Sequence, residues 1–213
     1  MPEIIPAINV EKFKDVVSRI KIAEGKVRAV QIDISDGSFT PNISWHNADD
    51  LKNISISLEI EIHFMVMAPE EKIEPWLKTQ AQIIIVHHES TPNVADVLKR
   101  IRESGKQAGI AIRPDTSWEV LVPFFDKADL FLMLAVSPGP SGQAFDQGTL
   151  EKISKLRAAS PRALIEVDGG VTVGIAKSCV KAGAAPIVVS SALYDSQKSF
   201  DEALKELEDD IRM

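Results

Sequence analysis

The 213-residue chain sets 24 Lys+Arg against 31 Asp+Glu, a net charge of −7, and 45% of its residues are hydrophobic. That acidity argues against general nucleic-acid binding and against an anionic membrane surface, so an anionic small molecule would have to be held by local donors or a metal. The apolar share supports a large core, and one domain over residues 1–213 is expected. The single cysteine, Cys179, excludes an internal disulfide and fits a reducing compartment. The start, Met1-Pro2-Glu3-Ile4-Ile5-Pro6, has neither a basic region nor a long apolar run, so no signal peptide is expected. No stretch is apolar enough to span a bilayer, and the cytoplasm is the expected compartment. A homo-oligomer is compatible with this composition.

In chain order, short β-branched runs recur at residues 4–8, 28–34, 58–65, 82–87, 108–113, 130–136, 163–168 and 186–190. Amphipathic stretches with helix punctuation lie between them. The first begins after Asn9, a good N-cap, and stops at Gly25. Another starts near Pro92-Asn93 and stops at Gly105. A third follows Thr172 and ends at Gly183, and the last covers residues 200–211. Alternating strands and helices read as parallel βαβ units, and a closed (β/α)₈ TIM barrel is the expected fold. An open doubly wound sheet is the rival, but Pro6-Ala7-Ile8-Asn9 is nothing like the G-x-G-x-x-G turn that usually marks one.

Three of these strands carry polar groups where a core strand would be apolar. They are Gln31 and Asp33, Glu61 and His63, and Glu166 and Asp168. Strand side chains alternate faces with period two, so each pair shares a face. Buried carboxylates are costly without partners, so three such strands suggest one polar site at their C-terminal ends, suited to binding a metal or moving a proton. The loop after strand six holds Gly139, Pro140, Ser141 and Gly142. The loop after strand seven opens with Gly169-Gly170, and strand eight ends at Ser190-Ser191. Late barrel loops often bind phosphate through backbone N–H groups.

In order and spacing, several segments together resemble the ribulose-phosphate 3-epimerase family and its close relative, allulose-6-phosphate 3-epimerase. These are Asp33-Ile34-Ser35-Asp36-Gly37-Ser38-Phe39-Thr40-Pro41-Asn42, His63-Phe64-Met65, Val86-His87, Val136-Ser137-Pro138-Gly139 with Gly142-Gln143-Ala144-Phe145, and Ile165-Glu166-Val167-Asp168-Gly169-Gly170-Val171. Family members are metal-dependent barrels that invert the carbon beside a ketose carbonyl. The resemblance implies that Asp33 and Asp168 are the acid/base pair, and that Asp33, His63 and Asp168 bind one divalent metal ion. It implies a sugar-phosphate substrate, with its phosphate by Gly139–Gly142, Gly169-Gly170 and Ser190-Ser191.

The chain departs from that pattern near the same site. Gln31 stands where the family has a histidine, its fourth metal ligand; an amide oxygen is the weaker ligand for most transition metals. Ala7 replaces a substrate-contacting serine. Ser35 and Leu134 replace two of three methionines that line the metal site, and Met65 remains. Ser38, Ser137, Pro140 and Ser141 are further changes, and Arg113 ends strand five in place of a neutral residue. Arg113 has two readings: a local ion pair with Asp115, or a cation that binds the phosphate or compensates for weak metal binding. The oxygen-rich ligand set favours Mn²⁺, Fe²⁺ or Mg²⁺, with Zn²⁺ still accommodated. The expected function is epimerisation at C3 of a ketose phosphate such as ribulose 5-phosphate. The alternatives are a family member that binds a sugar phosphate without turnover, and a barrel lyase or decarboxylase with an Asp-Lys-Asp array. No lysine falls at a strand end to support the last.

Overall fold

The computed structural model describes residues 2–212. In chain order the elements are β1 (Ile4–Ile8), α1 (Phe13–Ala23), β2 (Ala29–Ser35), β3 (Glu59–Met65), α2 (Pro69–Lys72), α3 (Glu74–Leu77), β4 (Ile83–His87), α4 (Val94–Glu103), β5 (Gln107–Ile112), β6 (Leu130–Leu134), α5 (Gly148–Ala159), β7 (Ile165–Asp168), α6 (Ile175–Ala182), β8 (Ile187–Val189), α7 (Ser191–Tyr194) and α8 (Phe200–Arg212). Every neighbouring pair is parallel, and β1 pairs with β8 to close the barrel. The expected (β/α)₈ fold is thus present, with strand bounds moved by one or two residues.

Two connections differ from the strand–helix alternation. After β2 and after β5 the chain forms 3₁₀ segments, Ala48–Asn53 and Trp118–Phe124, in place of full α-helices. Pro123 inside the second cannot donate a helix hydrogen bond, which disfavours a longer regular turn there. The first helix also begins later than expected. Lys12, not Asn9, precedes it, and Lys12 makes no side-chain cap. Asn9 is used elsewhere.

The strands are buried on both faces, as a parallel sheet wrapped by helices requires. Outward residues such as Val30, Ile32 and Ile34 join the large core under the helices. Trp45 and Trp76 lie in that core, their rings 5.7 Å apart and edge to face, against Phe13 and Phe64. Cys179 is buried with them. Inward residues make two smaller apolar clusters: Ile83, Ile85, Ala111, Leu130, Leu132 and Leu134 on one side, and Ile5, Ala7, Ala29 and Val188 on the other. Gly109 makes room for the first, since a Cβ there would stand 2.7 Å from Ile85 Cγ1. Among the described residues, no helix is long and apolar enough to cross a membrane.

Candidate active site

Between the two inward apolar clusters the polar side chains expected from the alternation converge. Asp33 on β2 and His63 on β3 are register partners, so their side chains start side by side at the C-terminal rim. Gln31 is one inward position lower and is partnered by Ala7 on β1 and Glu61 on β3. Two departures from the family pattern, Ala7 and Gln31, are therefore cross-strand neighbours. Asp168 ends β7 beside Leu134.

The geometry is tight. Gln31 Nε2 donates to Asp33 Oδ1 and to Asp168 Oδ2, both at 2.8 Å, and stands 3.4 Å from His63 Nδ1. His63 Nδ1 is 3.2 Å from Asp33 Oδ1 and 3.5 Å from Asp168 Oδ2. One ligand atom from each of Asp33, His63 and Asp168 lies within 4.8 Å of the others. Four ligands about 2.1 Å from a shared tetrahedral ion would stand about 3.4 Å apart, so these spacings suit a divalent cation. The donor set agrees, with two carboxylates and an imidazole nitrogen. The Gln31 oxygen is buried without a partner, and turning the amide over would aim it at the same point.

Burial divides the four residues. Gln31 and His63 are fully buried, whereas Asp33 and Asp168 each keep 7% exposure and line the cleft above. The two carboxylates are thus the members of the cluster that can touch a bound molecule. Burial pushes the Asp33 carboxyl up, and the charge of Asp168 adds to this, against hydrogen bonds from His63 and Gln31. Burial alone would lower the His63 imidazole, but hydrogen bonds to Asp168 and Asp33 and their charges outweigh it and raise His63 to about 9.

A cleft opens above the cluster. It is lined by Met65 and by every late-loop residue singled out from the sequence: Gly139, Ser141, Gly142, Gly169, Gly170, Ser190 and Ser191. The loop after β6 is held from below. Thr40 Oγ1 donates to the Pro138 carbonyl at 2.9 Å, and Gln143 Nε2 to the Ser137 and Pro140 carbonyls at 2.9 and 3.0 Å. Gly170 has φ 67°, and a Cβ there would fall 2.5 Å from the Phe145 nitrogen. Only glycine lets these two loops close on each other. Arg113 is placed differently from the anionic-site reading. It does not line the cleft; its Nε is 3.3 Å from Asp115 Oδ1, and its guanidinium lies 6.0 Å from the Phe39 ring centroid. The local ion pair is the arrangement found.

Three residues take places that the sequence alone did not assign, His87 among them although it lies in one of the segments that carry the family resemblance. Asn9, expected as a helix cap, lines the cleft, donates to the Gly139 carbonyl at 3.3 Å and accepts from Asn42 at 3.2 Å. His87 is fully buried, with Nε2 2.9 Å from His63 Nε2 and Nδ1 3.3 Å from Glu89 Oε2. Burial lowers His87 to about 4. Glu89, although burial opposes it, is held at about 2 by hydrogen bonds from His87, the Arg113 amide and Thr116. The His87-x-Glu89 spacing at a strand end was the available signal.

Below the cluster, Glu61 and Glu166 are buried in the barrel interior. Glu61 Oε2 and both Glu166 oxygens lack partners. Burial raises Glu61 from 4.5 to about 8 and Glu166 well above its ordinary value. A carboxyl whose folded pKa is raised holds a proton that the unfolded chain has lost. Stability therefore falls as pH climbs from about 4.5 towards 8, by up to about 1.4 kcal/mol per pH unit. Glu61→Gln is expected to raise Tm at pH 8.5 and to change it little at pH 5. Calorimetric melts at the two pH values test this, and equal shifts at both would show the carboxyl is not protonated in the fold.

The pattern of the ribulose-phosphate 3-epimerase family matches residues 3–194. Ribulose-phosphate 3-epimerase of Chlamydia muridarum is 38% identical over 180 residues, 81% of this chain and 79% of that protein. The Bacillus subtilis protein of the same name is 32% identical over 213 residues, 95% of this chain and 98% of that one. Among solved structures, 3-hexulose-6-phosphate synthase matches with a TM-score of 0.71 at 17% identity, over 98% of this chain and 99% of that chain, a likeness of fold alone. The matched segment takes in every strand end that builds the cluster and the cleft, and the chain belongs to the ribulose-phosphate 3-epimerase family.

Proposed function

We propose that the chain epimerises C3 of a ketose phosphate of the ribulose 5-phosphate class, using Asp33 and Asp168 as the two proton-transfer groups. The observation that carries this reading is their convergence: two carboxylates from β2 and β7 reach one cleft, and both rest on the same buried His63 and Gln31. Inversion beside a carbonyl needs a base on one face of the carbon and an acid on the other. One aspartate removes the C3 proton, leaving an enediolate. The other, protonated, delivers its proton to the opposite face, and the roles exchange in the reverse direction. The raised Asp33 carboxyl suits a group that must carry a proton in part of the cycle.

Asp33, His63 and Asp168 would hold a divalent ion, with Gln31 as a neutral fourth group. Such an ion supplies stabilisation of negative charge at the enediolate oxygens. Gly139, Ser141, Gly142, Gly169, Gly170, Ser190 and Ser191 would hold the phosphate, mainly through backbone N–H groups. Met65 would cover the sugar's apolar edge. Turnover of ribulose 5-phosphate by protein purified without chelator, with its metal content measured in parallel, tests the reading. Binding of the sugar phosphate without turnover at any added metal would favour a non-catalytic binding protein.

Two further results are expected. The phosphorylated sugar should bind far better than the free sugar in calorimetry, because the late loops contribute most of the donors. Equal affinities would remove the phosphate from these loops. Mn²⁺ uptake should also release a proton, since His63 is held protonated up to about 9 in the metal-free protein. Apparent Mn²⁺ affinity should then climb by about tenfold per pH unit between pH 6 and 8. The His63 charge contributes stability to the metal-free protein below the unfolded value near 6.5, and this is lost as pH rises through about 9. Proton release measured in buffers of different ionisation enthalpy checks the linkage; a value near zero at pH 7 would contradict it.

A further inference from the structure

We infer that His87 and Glu89 form a directional hydrogen-bond relay that keeps the His63 proton on Nε2 and leaves Nδ1 to face the two aspartates. The inference rests on the reading that Asp33, His63 and Asp168 hold a divalent ion, and it assigns a positioning role to two residues that touch neither ion nor substrate.

The relay is read from its outer end. Glu89 Oε1 accepts from the Arg113 backbone N–H at 2.8 Å and from the Thr116 hydroxyl. Its other oxygen, Oε2, lies 3.3 Å from His87 Nδ1. A carboxylate only accepts, so His87 Nδ1 must carry the hydrogen of that bond. A neutral imidazole with its hydrogen on Nδ1 has a lone pair on Nε2. That lone pair is 2.9 Å from His63 Nε2, and one hydrogen can lie between the two nitrogens. It must therefore belong to His63. The ring's other nitrogen, Nδ1, faces Asp33 Oδ1 at 3.2 Å and Asp168 Oδ2 at 3.5 Å; in the metal-free protein it carries the hydrogen shared with these carboxylates, and it would release that proton to turn a lone pair towards a bound ion.

The surroundings hold this order in place. Both imidazoles are fully buried, so water does not offer either ring a competing partner. Their ring centroids are 5.0 Å apart, and the Phe39 ring covers His87 from the other side at 4.6 Å. The 3₁₀ turn His88–Ser90 brings the Glu89 side chain back towards His87, and the Ser90 hydroxyl donates to the His87 carbonyl at 2.7 Å to fasten it. Partners on the far nitrogen of a ligating histidine fix its tautomer and commonly change metal affinity by about 10–100-fold when removed.

Glu89→Gln tests the direction. An amide can donate as well as accept, so His87 can take the opposite tautomer and push its hydrogen towards His63. Mn²⁺ affinity measured by calorimetry is expected to fall by about tenfold or more, with the thermal melt confirming the fold. A change below twofold in a folded variant would overturn the positioning role while leaving the ligand set standing. The second measurement needs no variant: ¹H–¹⁵N spectra of the histidine rings in wild-type protein, with and without Zn²⁺. The expected pattern is a proton on His87 Nδ1, none on His87 Nε2, and a proton on His63 Nε2 in both samples. A proton on His87 Nε2 would overturn the relay. If wild-type protein binds neither Mn²⁺ nor Zn²⁺, the ion-dependent reading of the site fails, and the metal-free spectrum still decides the direction of the relay.

Discussion

Asp33→Asn and Asp168→Asn are each expected to lower epimerisation by about 10²–10⁴-fold, the range of a lost general acid or base. The substitutions suit the site because an amide oxygen can still accept from Gln31 Nε2, which now bonds both carboxylates at 2.8 Å. The fold should therefore survive, and the loss should report chemistry. Incorporation of solvent deuterium at C3 separates the two groups. With one aspartate gone, the remaining one can still exchange the proton on its own face, but it cannot deliver to the other. Each variant should then exchange deuterium into one epimer and form almost none of the second. Wild-type rates of epimer formation in either variant would end the two-base assignment. Mn²⁺ titration of the same variants distinguishes a lost base from a lost ligand, since a weakened ion would depress both exchange and inversion.

Gln31→His carries the second large effect, on metal affinity. The Gln31 amide sits 2.8 Å from both aspartate oxygens and 3.4 Å from His63 Nδ1, so a ring nitrogen in its place would complete a His₂Asp₂ set around the same point. Imidazole is the better ligand for most transition metals. Zn²⁺ affinity is expected to rise by about tenfold or more, roughly 1.4 kcal/mol, with a smaller gain for Mn²⁺. Activity should rise with occupancy, although Ala7 beside it stands where the family resemblance implies a substrate-contacting serine. Arg113→Ala is the matched control. Its guanidinium is engaged with Asp115 and lies outside the cleft, so metal content and sugar-phosphate binding should change little. A damaging Arg113→Ala with a neutral Gln31→His would reverse this assignment and place the compensating charge on Arg113.

Much of this protein was determined by local pattern. Alternation along Gln31-Ile32-Asp33, Glu61-Ile62-His63 and Glu166-Val167-Asp168 puts the polar members on one face by backbone geometry alone, whatever the strands pair with. The same alternation, repeated between helical stretches, leads to the closed parallel barrel. The glycines of the late loops follow from backbone needs that are also local, as at Gly170.

What joins distant segments was decided only by barrel closure. Asp33 and Asp168 lie 135 positions apart, and their shared donor in Gln31 exists because β1–β8 pairing brings β2 and β7 around one lumen. Asn9 reads as a helix cap from its neighbours, yet its amide goes to the Gly139 carbonyl, 130 positions away in the loop after β6. His87 reads as an ordinary strand-end histidine until β3 and β4 pair and set its ring 2.9 Å from His63. Side-chain hydrogen bonds reach about 3 Å, a range that sequence spacing specifies within a strand and that only tertiary packing specifies between them.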